Sequence, residues 1–159
     1  MNQKGSKRLL FTIVAIFLLL YLSFEGAGLA AYASSPAATV KKVSGVATVM
    51  REGRALPATV GLGILENDTI RTGRDGSIGI VFNDETLLSL GPESVLVIDE
   101  FVFAPKQGKF SIVIRMLKGT AAYLSGLISR LAPESAHFKT PTASIGIRGT
   151  KFVAKIEGE

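Results

Sequence analysis

The chain has 159 residues, no Cys, no Trp, one His and a formal charge of +5. That length is the size of one domain. The missing cysteines exclude a disulfide framework and a lipid-acceptor thiol behind an export signal, and with one imidazole they leave only carboxylates to hold a metal.

The first predicted element is an export signal. Lys4, Lys7 and Arg8 lead into the apolar run Leu9–Leu22, and small residues follow around Ala31-Tyr32-Ala33. A basic end, a short apolar core and an A-x-A site predict a helical secretory signal over residues 1–33, cut between Ala33 and Ser34. The alternative is an uncleaved anchor in the inner membrane. Leu9–Phe24, at about 1.5 Å of helix rise per residue, falls short of a hydrocarbon core of ~30 Å. A tilted helix continuing to Ala33 would be long enough. Cutting there removes Lys4, Lys7, Arg8 and Glu25, so the formal charge falls from +5 to +3. The remaining charge is scattered, which argues against nucleic acid as a partner.

Residues 34–42 begin with Ser34-Ser35-Pro36-Ala37-Ala38-Thr39 and read as a linker of small residues. From 43 to 159, turn signals recur about every ten residues, the spacing of an all-β domain. Ile78, Ile80 and Phe82 fall on one face of a period of two, as do Phe110, Ile112, Ile114 and Met116. Each pattern predicts a strand with one buried face. Val95–Ile98 is apolar throughout, as in a strand covered on both faces. Gly126–Ala136 is a weak helical stretch that its shortness and Pro133 favour as a turn or loop. The segments Arg71–Ile80 and Lys139–Ile147 echo each other faintly, leaving a compact sandwich and a short solenoid of about ten short strands both open.

The last patterned stretch runs from Thr140 to Phe152. Ala143, Ile145 and Ile147 alternate on odd positions, then Phe152, Ala154 and Ile156 on even ones, and Arg148 sits between Gly146 and Gly149 where the phase slips. Arg148 has three roles open to it: a catalytic group, a hook for a carboxylate or phosphate, or a clamp at a β-bulge held by Asp68 or Asp84. A phase slip is the signature of a bulge, so the clamp is the expected role. Loss of its side chain would then destabilise by about 2 to 4 kcal/mol. After Thr150 the chain ends as a strand without a following partner, a site where another chain could add a strand.

Catalytic patterns are sparse. His137 is the only imidazole, and its place in a strand with Ser135 two residues away describes a solvent-facing residue at a sheet edge better than a hydrolase base. Asp99 and Glu100 read as surface acids. Glu66, Asp68, Asp84, Glu85 and Glu100 would have to converge for a carboxylate-based hydrolase, and their spacing does not favour it. Gly73–Gly76 is a tight turn without the Lys and helix of a phosphate loop.

Several of these segments resemble the FecR domain family. They are Val43-Ser44-Gly45-Val46-Ala47, Asn67–Gly73, Ser77–Leu87 and above all the closing Thr140-Pro141-x-Ala143-x-x-Gly146-x-Arg148-Gly149-Thr150. The resemblance spans about Val43 to Phe152. It implies an all-β domain that works outside the inner membrane by contact rather than catalysis, relaying a signal from an outer-membrane receptor to a sigma factor. Here the family's Asp-Gly-Thr turn reads Asp84-Glu85-Thr86. Carried over from the closing motif, Thr140, Arg148 and Thr150 are the candidate structural or ligand-contacting residues. The expectation is an exported, non-enzymatic module, periplasmic or secreted, with no cofactor and with another envelope protein as partner. A glycan- or peptidoglycan-binding module is the alternative, poorly supplied with stacking groups since Tyr123 is the only tyrosine beyond the signal.

Overall fold

A computed structural model describes residues 35–157. The predicted signal, its helix and its cut between Ala33 and Ser34 lie outside these residues. The twelve strands are β1 (Ala38–Ser44), β2 (Ala47–Arg51), β3 (Arg54–Pro57), β4 (Gly63–Ile64), β5 (Thr69–Thr72), β6 (Ser77–Phe82), β7 (Leu87–Leu90), β8 (Val95–Ala104), β9 (Lys109–Leu124), β10 (Ala136–Lys139), β11 (Ser144–Gly146) and β12 (Lys151–Ile156). β1 takes up Ala38–Lys42, so most of the predicted linker belongs to the sheet. Gly126–Ala136 forms one helical turn, α1 (Ile128–Leu131), and a 3-10 turn at Pro133–Ser135.

Alternation in sequence becomes alternation in burial. Ile78, Ile80 and Phe82 are buried in β6, and Ile112, Ile114 and Met116 are buried in β9 while Arg115 is exposed. β8 lies between β5 and β9, and of its apolar run Val95, Leu96 and Ile98 are buried and Val97 half-buried.

The strands follow the order β3-β2-β5-β8-β9-β7-β6-β1-β4 in one curled, mostly antiparallel sheet. Its two halves share β9. The first part of that strand pairs with β8 and, in parallel, with β10; the last part pairs with β7 and β12. The bend falls at Gly119, which has φ +95° and packs against Ser94 so closely that a Cβ would collide with the Ser94 side chain. The Ser94 hydroxyl accepts the Thr120 N–H at 3.0 Å and fastens this corner. A register shift between Val95 and Leu96 marks the same place on β8.

Folding the halves together buries Val40, Ile64, Ile70, Leu88, Leu96, Ile98, Tyr123 and Phe138 in one core. At one end, Tyr123 stacks on Phe152 with ring centroids 5.2 Å apart, and Phe138 meets Phe152 edge-on at 5.2 Å. A shared core of this kind is a folded-over sandwich rather than a solenoid. The two echoed segments are not equivalent in it, because β10 and β11 pair with each other whereas β5 and β6 do not.

Candidate interaction surface

The Arg148 loop joins β11 to β12. β11 pairs with β10, and β12 pairs with β9, so residues 147–150 carry the chain from one half of the sheet to the other. The phase slip is this crossing rather than a bulge within one strand. Ile147 is buried and donates its N–H to the Ala136 carbonyl at 2.9 Å, but Ala143 and Ile145 are exposed, so the odd face of β11 is not a core face. Arg148 is exposed and makes no hydrogen bond or ion pair among the described residues. Among the described residues Arg148 therefore does not form the expected clamp, since an exposed guanidinium without a partner holds nothing down.

The other two motif residues act on the backbone. Thr140 closes a turn, its N–H reaching the Ala143 carbonyl at 2.8 Å and its hydroxyl accepting the Ala143 N–H at 3.0 Å. Thr150 accepts the Ser125 N–H on its carbonyl at 3.0 Å.

The clamp exists elsewhere. Arg51, at the end of β2, donates from Nε to Asp68 Oδ1 at 2.9 Å and from Nη2 to Asp68 Oδ2 at 2.6 Å, and Nη2 also reaches the Gly63 carbonyl at 2.7 Å. Asp68 is only 1% exposed and accepts the Leu65 N–H as well. The hydrogen bonds to Asp68 raise the Arg51 pKa further. This planar fork ties β2, the turn before β5 and β4 together. It forms the wall of a cleft of about 500 Å³ that Glu52, Glu66 and Phe101 also line. No single local pattern marks Arg51; its partner lies 17 residues away.

Asp84 anchors a third corner with no cation paired to it among the described residues. Fully buried, it accepts the Thr86 N–H at 3.1 Å, the Thr86 hydroxyl at 2.9 Å and the Ile128 N–H at 3.2 Å. Gly126 packs here against the Asp84 carbonyl with no room for a Cβ. Glu85 adopts φ +69°, the conformation that suits the glycine of the family's turn. Beside it, Tyr123 Oη is buried with no partner in hydrogen-bond geometry among the described residues; the neighbouring Thr86 hydroxyl is committed to Asp84. Burial pushes the Tyr123 phenol up to about 12, moderated by Thr86.

Of the acids a hydrolase would bring together, Asp68 and Glu66 line the cleft beside Arg51, and each has a hydrogen-bond partner. Asp68 is committed to Arg51, Asp84 to the turn around it, and Glu66 accepts the Phe101 N–H at 3.2 Å. Asp99 pairs with Arg115 at 2.6 Å on the surface, as a surface acid should. His137 is half-buried with Nε2 2.9 Å from the Glu134 carbonyl, and β10 has neighbours on both sides, so it is not at an edge.

The open surface lies at β12. This strand does find a partner, contrary to the sequence expectation: Lys151 to Ile156 pair with Leu124 to Gly119 of β9. Its other edge is unpaired among the described residues. Gly91 donates to the Thr120 carbonyl, and Ser125 donates to the Thr150 carbonyl. Antiparallel bonding alternates, so even residues of β12 bond to β9 and the N–H and C=O groups of Lys151, Val153, Lys155 and Glu157 point to the free edge. On the outer face, the registers align Leu87, Leu124 and Lys151 in one row and Ser89, Ala122 and Val153 in the next. Leu87 and Leu124 are each 42% exposed and Val153 65%.

A family model described as FecR protein matches residues 68–159, more than half of the chain. The chain belongs to the FecR family. The match begins at Asp68, so the FecR domain's clamp joins a matched acid to an arginine on a strand before the match. The FecR family is one of envelope signalling domains, and the all-β fold expected from the resemblance is the fold observed. No curated protein and no solved structure matches the chain. Among the described residues, no helix is long and apolar enough to cross a membrane.

Proposed function

We propose that this FecR domain is an exported, non-enzymatic module that senses or relays a signal in the bacterial periplasm by binding another envelope protein. Membership of the FecR family carries the reading. Two features support it. The leading Lys4–Ala33 segment has the composition of an export signal, and the buried acids Asp68 and Asp84 are taken up by Arg51 and by backbone N–H groups. Every aromatic ring among the described residues is buried or half-buried, which leaves a sugar little to stack on.

The test has two readouts. A reporter enzyme active only outside the cytoplasm, fused behind the domain, is expected to be active and to lose activity when residues 1–33 are deleted. A photo-cross-linking residue at the exposed Leu124 is expected to trap an envelope protein. A silent reporter, or capture of cytoplasmic proteins alone, would refute the proposal.

A further inference from the structure

We infer that β12 pairs with β12 of a second copy of this chain, antiparallel, with Lys151 opposite Glu157 of the partner subunit and Ala154 on the twofold axis. The inference deepens the interaction-module reading, on which it rests, by naming one partner. Three observations lead to it.

The first is the free edge. Lys151, Val153, Lys155 and Glu157 point their backbone groups outward, so only pairings that set odd residues against odd residues complete the bonding. The second is charge. A shift of the partner by two residues one way sets Lys151 against Lys155, and by two the other way sets Lys155 against itself; like charges placed opposite each other oppose pairing. The central register sets Lys151 against Glu157 twice, and Lys155 against the apolar Val153. It also uses the whole of β12, Lys151–Ile156, and the residue after it. Edge lysines guard against indiscriminate pairing, and here they select one register.

The third is the core face. Phe152, Ala154 and Ile156 lie on the even side, half-buried and packed against the core. In the central register Phe152 meets Ile156 of the partner subunit and Ala154 meets its own copy, so the apolar layer continues across the axis. The outer face likewise continues, joining the Leu87, Leu124 and Val153 patches of two subunits into one surface.

The chain has no cysteine, which makes cross-linking direct. Full-length chain carrying Ala154→Cys, expressed in bacteria and treated with the shortest permeant bismaleimide, is expected to run mostly as a dimer on a denaturing gel. Ser89→Cys, central on the exposed face, is expected to stay monomeric. Co-expressed Lys151→Cys and Glu157→Cys chains, both altered at exposed positions, are expected to form the mixed dimer, which covers any misfolding of the Ala154 variant. Glu157→Lys is expected to weaken association about tenfold, and Lys151→Glu together with Glu157→Lys to restore it. A monomer in both cysteine experiments, or a double charge exchange that fails to restore pairing, overturns the inference. If Leu124 still traps an envelope protein in that monomer, the self-pairing alone is lost and the broader reading stands.

Discussion

Two arginines stand at two corners of this domain, and only one of them holds its corner. Arg148, between glycines in the most distinctive motif, is exposed and unpaired among the described residues. Arg51, in an undistinguished hairpin, makes a forked ion pair with an acid that is 1% exposed. What separates them is the burial of the partner. A guanidinium stabilises a fold when its removal would strand a desolvated charge, and that condition is set by a contact distant in sequence.

The largest expected effect comes from breaking the corner that holds. Arg51→Ala is expected to lower stability by about 3 kcal/mol, because Asp68 keeps its burial and loses its counter-charge; denaturant unfolding measures it. A buried phenol whose nearest hydroxyl, Thr86, is already bonded to Asp84 is the next case. Tyr123 titrates near 12 in the fold against an ordinary value of 10.0. Its phenol stays protonated in the native state while the unfolded chain ionises. Its contribution to stability is therefore constant below about pH 10 and falls by roughly 2 to 3 kcal/mol by pH 12. In a chain with Tyr21→Phe and Tyr32→Phe, phenolate absorbance follows this titration directly, and Tyr123→Phe should remove it together with that part of the alkaline decline.

A smaller effect is expected at the corner that manages without a cation. Glu85→Gly relieves a positive φ and is expected to raise stability by about 1 kcal/mol. The smallest is Arg148→Ala, expected to change the unfolding free energy by less than about 0.5 kcal/mol. A loss of the size expected for Arg51 there would erase the distinction between the two corners.

Much of the fold was legible in the sequence, because a period of two and regular turns record which side of a strand meets the core. β6 and the first part of β9 follow that record. β11 does not: Ala143 and Ile145 alternate as a buried face would, yet the strand lies at a sheet edge and exposes them. The family was legible in the closing motif, whereas the roles of its residues were not. Gly146 and Gly149 mark a sharp change of chain direction, which a bulge and a crossing between sheet halves both require. Asp68 was visible as a possible anchor, but its arginine was not, since nothing local in Met50-Arg51-Glu52 reveals a contact made through folding.

The strand shared by both halves has a consequence for how the molecule comes apart. β9 bonds to β8 and β10 before the Gly119 bend and to β7 and β12 after it. Neither half can be completed until this one segment has turned its corner, and neither can be lost while it stays in place. Heating should consequently melt the folded-over sheet in a single step, with tertiary and backbone signals vanishing together and no half-open species accumulating between them.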